Sequence, residues 1–390
     1  MKAVKIKENV YWVGGVDWNL RNFHGYLTQR GSTYNSYLVI DDKITLIDNV
    51  KSYLFEEQLA RISSVIDPSQ IDIIIQNHIE MDHSGSLPMI KGLCPQAEIY
   101  ATKKGAEGLQ RHYKKDWKIH EVTAGRSLDL GKREINFVPT PMVHWPDNMV
   151  SYSSYDKILF SNDAFGQHIA SQERFDHEMS LGILKEEAAK YYANIVLPYG
   201  AQVVKALKTA SELEIEWILP SHGIIWHDQI KNVMNWYDKW STNQTDNKAM
   251  IIYDSMWGTT ERMAVAIRDA FEESGVIAGL YNLRETHISD LMTTILNTRY
   301  ICLGSPTLNN NILPTMAAFL TYLKGLAPKG RTGLAFGSYG WGGQSIAMLD
   351  KALEEMKFER ITPMKVKFIP DEEELADLIN KLKNEIKDKK

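Results

Sequence analysis

Short apolar runs recur along this chain, and several stop abruptly at histidine or carboxylate. Ile71-Asp-Ile-Ile-Ile-Gln-Asn runs into His78-Ile-Glu-Met-Asp-His-Ser, with Gly85 just beyond. A run of that length closed by turn residues predicts a buried strand ending in a tight loop. A strand would split His78, Glu80, Asp82 and His83 between two faces, because successive side chains alternate; a loop can turn them toward one centre. The run from Glu134 to Val143 leads to His144. Lys157-Ile-Leu-Phe-Ser-Asn leads to Asp163, and Ile215-Glu-Trp-Ile-Leu-Pro-Ser leads to His222. Four strand ends therefore deliver histidine or carboxylate. Layered α/β proteins gather their chemistry at one sheet edge, on loops held by a rigid scaffold. A lone His-x-Glu, His144 or His222 reads as a surface or structural residue. Taken together, the seven residues predict a metal site.

The second half repeats the strand-then-loop pattern with different chemistry. Ala249-Met-Ile-Ile-Tyr predicts a buried strand, followed by the loop Asp254-Ser-Met-Trp-Gly-Thr-Thr. A helical pattern opens at Glu261, with Met263, Ala264, Ala266 and Ile267 on one side. Strand, hydroxyl-rich loop and helix start form an anion site, since backbone N–H groups and the positive helix end face the ligand. Ser255, Thr259 and Thr260 add hydroxyl donors, Gly258 permits close approach, and Met256 and Trp257 complete the loop. An ordinary helix N-cap is the competing reading for this loop alone. Two more runs, Tyr300-Ile-Cys-Leu-Gly and Leu334-Ala-Phe-Gly, open onto further loops. The first loop carries Ser305, Pro306, Thr307, Leu308, Asn309 and Asn310; the second carries Ser338, Tyr339, Gly340, Trp341, Gly342 and Gly343. Neither a G-x-G-x-x-G pattern nor a Walker lysine accompanies them, which argues against dinucleotide and ATP. The last twenty residues place Leu375, Leu378, Ile379, Leu382 and Ile386 at helical spacing, an amphipathic helix for the second domain.

A length of 390 residues suggests two domains. The polar stretch Ser241-Thr-Asn-Gln-Thr-Asp-Asn-Lys marks the break, giving domains 1–247 and 248–390. A net charge of −5 offers no footprint for nucleic acid. No apolar run reaches membrane-spanning length, and the charged start lacks the apolar core of a signal peptide. Cys94 and Cys302 fall in different halves, so no disulfide framework is expected and the cytoplasm is the default compartment.

These motifs resemble the metallo-β-lactamase superfamily, and more closely the flavodiiron proteins. Superfamily hydrolases show His-x-His-x-Asp-His; here Glu80 stands at the second histidine, as in the flavodiiron variant. The later spacing agrees: sixty residues lie between His83 and His144, eighteen between His144 and Asp163, and fifty-eight between Asp163 and His222. The resemblance implies an α/β chain: an N-terminal metallo-β-lactamase-like αββα sandwich, then a flavodoxin-like doubly wound parallel sheet. It implies His78, Glu80 and His144 on one iron, Asp82, His83 and His222 on the other, and Asp163 bridging. In some relatives the residue matching His83 is displaced by water. Four imidazoles and three carboxylates without thiolate suit iron, and zinc also accepts them.

For the second domain the resemblance to flavodoxins implies flavin mononucleotide (FMN) in the three loops. Trp257 and Trp341 are candidate walls for its ring, with plain packing as the competing reading. The family also suggests His24 near the iron pocket, against a surface-loop reading. Tyr199 is a candidate hydrogen-bond donor to the bound diatomic, against a half-buried packing role. His168, His177 and His227 fit no ligand position. The implied activity is reduction of dioxygen to water or of nitric oxide to nitrous oxide. No Cys-x-x-Cys pair follows the flavodoxin part, so the expected donor is separate, a rubredoxin or a reduced deazaflavin coenzyme. The implied working unit is a head-to-tail homodimer, or a tetramer built from it, with each flavin facing the partner's irons. Two other readings stand beside this one: a dinuclear zinc hydrolase with a flavodoxin-like regulatory domain, and an electron-transfer flavoprotein with a structural metal site.

Overall fold

The apolar run at Ile71 becomes the strand Ile73–Ile75, buried on both faces. Its triple isoleucine follows from that burial, since a strand covered on both sides has no polar face to alternate with. Ile73 and Ile75 point one way, with Trp12, Tyr37, Val39 and Ile47, against Ile135, Phe137, Ile158, Phe160 and Leu219 of a second sheet. Ile74 points the other way, with Leu38, Leu46 and Ile99, toward Ile62, Leu87, Ile90 and Leu109. Those last four come from the helices Phe55–Ile62, Leu87–Leu93 and Lys103–Tyr113.

The computed structural model describes residues 1–389 and divides the chain into two units. The first comprises Met1–Tyr191 and Tyr199–Asp238; the second comprises Tyr192–Pro198 and the chain from Lys239 onward. In the first unit a seven-stranded sheet runs Val4–Lys7, Val10–Trp12, Tyr37–Val39, Thr45–Ile47, Ile73–Ile75, Glu98–Thr102, Ile119–Val122. A five-stranded sheet runs Ser127–Asp129, Glu134–Pro139, Met149–Ser153, Ile158–Asn162, Trp217–Pro220. Helix Gly200–Ala210 covers the outer face of the second sheet, setting Val203 and Leu207 near Val138, Val150 and Leu159. Helices thus flank two facing sheets, the αββα order.

The second unit is a parallel sheet of strands Asp246–Tyr253, Ile277–Asn282, Thr298–Gly304, Thr332–Tyr339 and a split last strand, Glu359–Arg360 with Met364–Lys367. Numbered in chain order, their spatial order is 2-1-3-4-5. That order reverses between the first and third strands, and the crevice beyond their carboxyl ends is where such sheets bind ligands. Helix Thr259–Glu273 packs Met263, Ala264 and Ile267 onto Ala249 and Ile251. The C-terminal helix Glu372–Asp388 adds Leu378, Ile379, Leu382 and Ile386 to the same core. The expected polar linker is shorter than its composition suggests. Helix Ile230–Ser241 and strand Asp246–Tyr253 leave only a brief turn, closed by Lys239 Nζ on Asp246 at 2.8 Å. Among the described residues, no helix is long and apolar enough to cross a membrane.

One buried cation ties the two sheets of the first unit together. Arg133 Nε donates to Asp156 Oδ2 at 2.8 Å, Nη1 to Asp41 Oδ2 at 3.3 Å, and Nη2 to the Glu8 carbonyl at 2.9 Å. Asp41 follows a strand of the first sheet, and Asp156 sits in a turn of the second. Arg133 and Asp156 are both buried. Arg133→Met would strand a buried carboxylate and should cost about 3–5 kcal/mol. Urea unfolding of the variant checks this, and a loss under about 1 kcal/mol, the size of an exposed pair, would contradict it.

Candidate functional site

The loop leaving Ile73–Ile75 is held from beneath before it presents any ligand. Gln76 Nε2 donates to the carbonyls of His78 and His83, each at 2.6 Å, pinning both ends of the loop. Asp48 accepts the Asn77 amide at 2.7 Å. Burial raises the Asp48 carboxyl to about 6, against the bonds from Asn77 and the nearby histidines. Gly85 ends the short helix Met81–Ser84, and a Cβ there would lie 2.5 Å from the Met81 carbonyl and 2.7 Å from the Ser52 amide.

The structure brings the seven expected metal residues together. His78, Glu80, His144 and Asp163 form one group, and Asp82, His83 and His222 another; within each, ligand atoms lie within 4.8 Å of one another. Asp163 spans the two groups. Its Oδ2 lies 2.9 Å from His144 Nε2 and 3.6 Å from His78 Nε2. Its Oδ1 lies 3.0 Å from His83 Nε2 and 3.4 Å from His222 Nε2. All seven except the half-buried His144 are buried. Yet both oxygens of Asp82, both ring nitrogens of His83 and Oδ1 of Asp163 close no hydrogen bond among the described residues. Buried polar atoms almost always find partners. Donor atoms that converge without bonding one another fit cations between them.

Electrostatics agree. Burial opposes charge at Glu80, but the bonds from His24 and His78 outweigh it and hold the carboxyl down at about 2. Burial also opposes charge at Asp163, and His83 and His144 pull it well below the usual range. Burial would lower His83, but Asp82 and Asp163 raise it to about 9. A pocket so strongly anionic holds protons that a divalent cation would displace on binding.

Orienting partners complete the centre. His78 Nδ1 lies 2.8 Å from Asp147 Oδ2, which also accepts the Ile79 amide at 2.9 Å. His222 Nδ1 lies 2.8 Å from the Thr33 carbonyl. Such contacts leave Nε2 free for a metal and fix the ring. Sequence reasoning missed Asp147, Thr33 and Gln76. Only Asp147 carried a signal, as a carboxylate three positions beyond a candidate ligand. His24 reaches the cluster, with Nε2 at 2.7 Å from Glu80 Oε1. Tyr199 is the half-buried N-cap residue of helix Gly200–Ala210. Tyr34 and Tyr191 pack their rings on a cluster histidine, at 5.4 and 5.8 Å from His222. His168 also packs there, 4.5 Å from His222, with Nδ1 2.6 Å from the Ser32 hydroxyl. His177 and His227 stand apart from both groups; His227 stacks on Trp217 at 3.8 Å.

In the second unit the three loops surround a cavity of about 580 Å³, within the usual range for a cofactor of roughly 300–1,000 Å³. Met256, Trp257, Thr259, Pro306, Thr307, Asn309, Asn310, Ser338, Tyr339, Gly340, Trp341 and Gly342 line it. Phe368 and Ile369 join them, from a segment the sequence did not flag. Six expected residues do not line it. Ser255 accepts the Gly258 amide, Thr260 bonds Ser338 at 3.0 Å, and Ser305 accepts the Leu313 amide. Those hydroxyls are engaged within the protein. Leu308 pairs with Asn311, Gly258 is an N-cap residue with φ of 83°, and Gly343 caps helix Gln344–Glu355. No side chain caps helix Thr259–Glu273, so its first amides are free for an anion.

A metallo-β-lactamase-like unit with a dinuclear pocket, followed by a flavodoxin unit, defines a class of two-centre redox enzymes. Residues 33–223 match the family described as ODP family beta lactamase, and residues 251–381 match flavodoxin. The chain is 42% identical over 381 residues to the nitric oxide reductase of Moorella thermoacetica, covering 96% of both. It is 41% identical over 399 residues to the rubredoxin-oxygen oxidoreductase of Megalodesulfovibrio gigas, covering 100% of this chain and 99% of that one. The crystal structure of the flavodiiron protein from Giardia intestinalis superposes with a TM-score of 0.95 at 36% identity, covering 98% of this chain and 96% of that one. The chain belongs to the flavodiiron proteins, and it is an oxidoreductase.

The Asp147 contact generates a direct test. Asp147→Asn keeps the shape but removes the charge behind His78, and metal affinity should fall about 10–100-fold. Competition of the metal-stripped variant with a chelator measures it; unchanged affinity would remove Asp147 from the centre.

Proposed function

We propose that the chain reduces a diatomic gas, dioxygen to water or nitric oxide to nitrous oxide, at a diiron centre fed by FMN. His78, Glu80 and His144 would hold one iron, Asp82, His83 and His222 the other, with Asp163 between. The reading rests on one geometric fact: the Asp163 carboxylate turns Oδ2 to His78 and His144, and Oδ1 to His83 and His222. When bound, the irons and flavin supply the electrons, four for dioxygen or two for a pair of nitric oxides. The chain's own groups do the rest. Three buried carboxylates offset the charge of two divalent ions. His24, raised above its ordinary value by its bond to Glu80, sets an exposed imidazole at the pocket rim. Reduced oxygen needs protons, and an imidazole open to solvent can be recharged. In the second unit, Thr259 and the uncapped helix start would take the FMN phosphate, with Asn309, Asn310 and Gly340 beside the ring.

A rubredoxin fits as donor, and a reduced deazaflavin coenzyme is the alternative. The test is the iron and flavin content of protein from its native host, with anaerobic consumption of each gas under each donor. Two irons, one flavin and turnover of at least one gas are expected. Two zincs without gas turnover would overturn the reading in favour of a hydrolase.

We further propose a head-to-tail homodimer in the cytoplasm, each flavin serving the partner's irons. Trp257 and Trp341 support it, being 91% and 93% exposed at the rim of the flavin cavity. Exposed aromatics of that size mark contact surfaces. Thr259→Asp sets a fixed charge against the phosphate and should lose flavin while keeping iron. Mixing it with His144→Ala should restore part of the activity that each variant lacks alone. Verified mixed dimers without recovery would place electron transfer within one chain.

A further inference from the structure

Outside the metal and flavin pockets, an apolar cavity of about 40 Å³ lies between the second sheet of the first unit and helix Gly200–Ala210. Val138, Val150 and Leu159 wall it from the sheet, and Val203, Ala206 and Leu207 from the helix. The small side chain of Ala206 leaves room that a larger residue at this helix position would fill. No charged side chain lines the cavity. Two of its three hydroxyls are engaged: Tyr237 accepts the Phe165 amide at 2.8 Å, and Thr209 donates to the Lys205 carbonyl at 3.3 Å. Water therefore has few partners there, and apolar cavities of this kind stay dry and accept apolar gases.

The lining also has a direction. Thr209 is exposed, Val138, Val150 and Leu213 are half-buried, and Val143 and Phe165 are buried. The inner part reaches the backbone that carries the metal pocket, since Val143 precedes His144 and Ala164 follows Asp163. We propose that this cavity is a holding site for a small apolar diatomic, concentrating the gas beside the metal pocket. Dioxygen and nitric oxide favour apolar surroundings over water, and neither asks for a hydrogen bond the lining lacks. An ionic or strongly polar substrate has no partner here. That the gas held is the one consumed rests on the reaction proposed above; that the cavity takes an apolar gas does not.

The test uses crystals of the iron- and flavin-loaded protein under xenon pressure, with initial rates at varied gas concentration. Xenon should occupy the cavity in the wild type. Ala206→Leu should abolish that occupancy and lower kcat/KM for the gas several-fold, leaving kcat at saturating gas and the cofactor content unchanged. Ala206→Met gives a milder filling should the leucine variant lose its fold, and Leu207→Ala should enlarge the cavity and retain xenon. Absence of xenon in the wild type, or its loss in Ala206→Leu with kcat/KM unchanged, would reduce the cavity to a packing defect and overturn the proposal. A wild type that consumes neither gas would refute the proposed reaction instead, and xenon occupancy would still decide whether the cavity takes an apolar gas.

Discussion

Charge burial is the constraint on which the first unit depends. Three carboxylates and four imidazoles meet past the ends of strands from two apolar sheets, and six of the seven are buried. Unpaired charge in such a place costs several kcal/mol per ion. The surrounding chain answers with fixed polar contacts rather than solvent. Asp147 and the Thr33 carbonyl orient two histidines, while Gln76 grips both ends of the ligand loop. These contacts are short and buried, so the ligand positions are set before any cation arrives. Glu80, Asp82 and Asp163 then meet three of the four charges that two divalent cations bring.

Glu80 gives the pocket its particular character. A histidine at that position would leave two carboxylates against two divalent ions. A carboxylate there adds a hard anionic donor, which suits iron and favours its oxidised state. It also gives His24 something to hold. The 2.7 Å contact between His24 and Glu80 draws an exposed ring onto the edge of the centre, at a residue whose φ of 51° is uncommon outside glycine. One substitution relative to the hydrolase pattern thus changes both the donor set and the imidazole held at its edge.

What the sequence reveals divides along physical lines. Ligands at strand ends were legible because apolar runs stop sharply and histidine is scarce; the structure gathers His78, Glu80, Asp82, His83, His144, Asp163 and His222. Orienting groups were not legible. Thr33 acts through its backbone carbonyl, which leaves no trace in residue identity, and Gln76 is one amide among many polar positions. Ser255, Thr260 and Ser305 bond within the protein, as small hydroxyl side chains readily do, and a hydroxyl that accepts an amide keeps its own proton to donate. The sequence likewise held no sign that Tyr192–Pro198 would leave the first unit for the second.

Both units place their chemistry past the carboxyl ends of strands, yet they prepare it differently. In the first, side chains at the site are locked by other side chains and carbonyls, and almost nothing is exposed. In the second, the helix start at Thr259 is uncapped, its first amides point outward, and two tryptophans stand in solvent at the rim. Metal ions need a rigid, preformed set of donors, since misplaced ligands cost charge compensation in a dry pocket. A flavin can be met by backbone amides and ring faces that are satisfied by water until it binds. That difference explains why the metal residues were recognisable by type, whereas the flavin loops had to be read as whole segments. In those loops, where recognition works through backbone and shape, side-chain identity is a poor guide to which positions face the ligand.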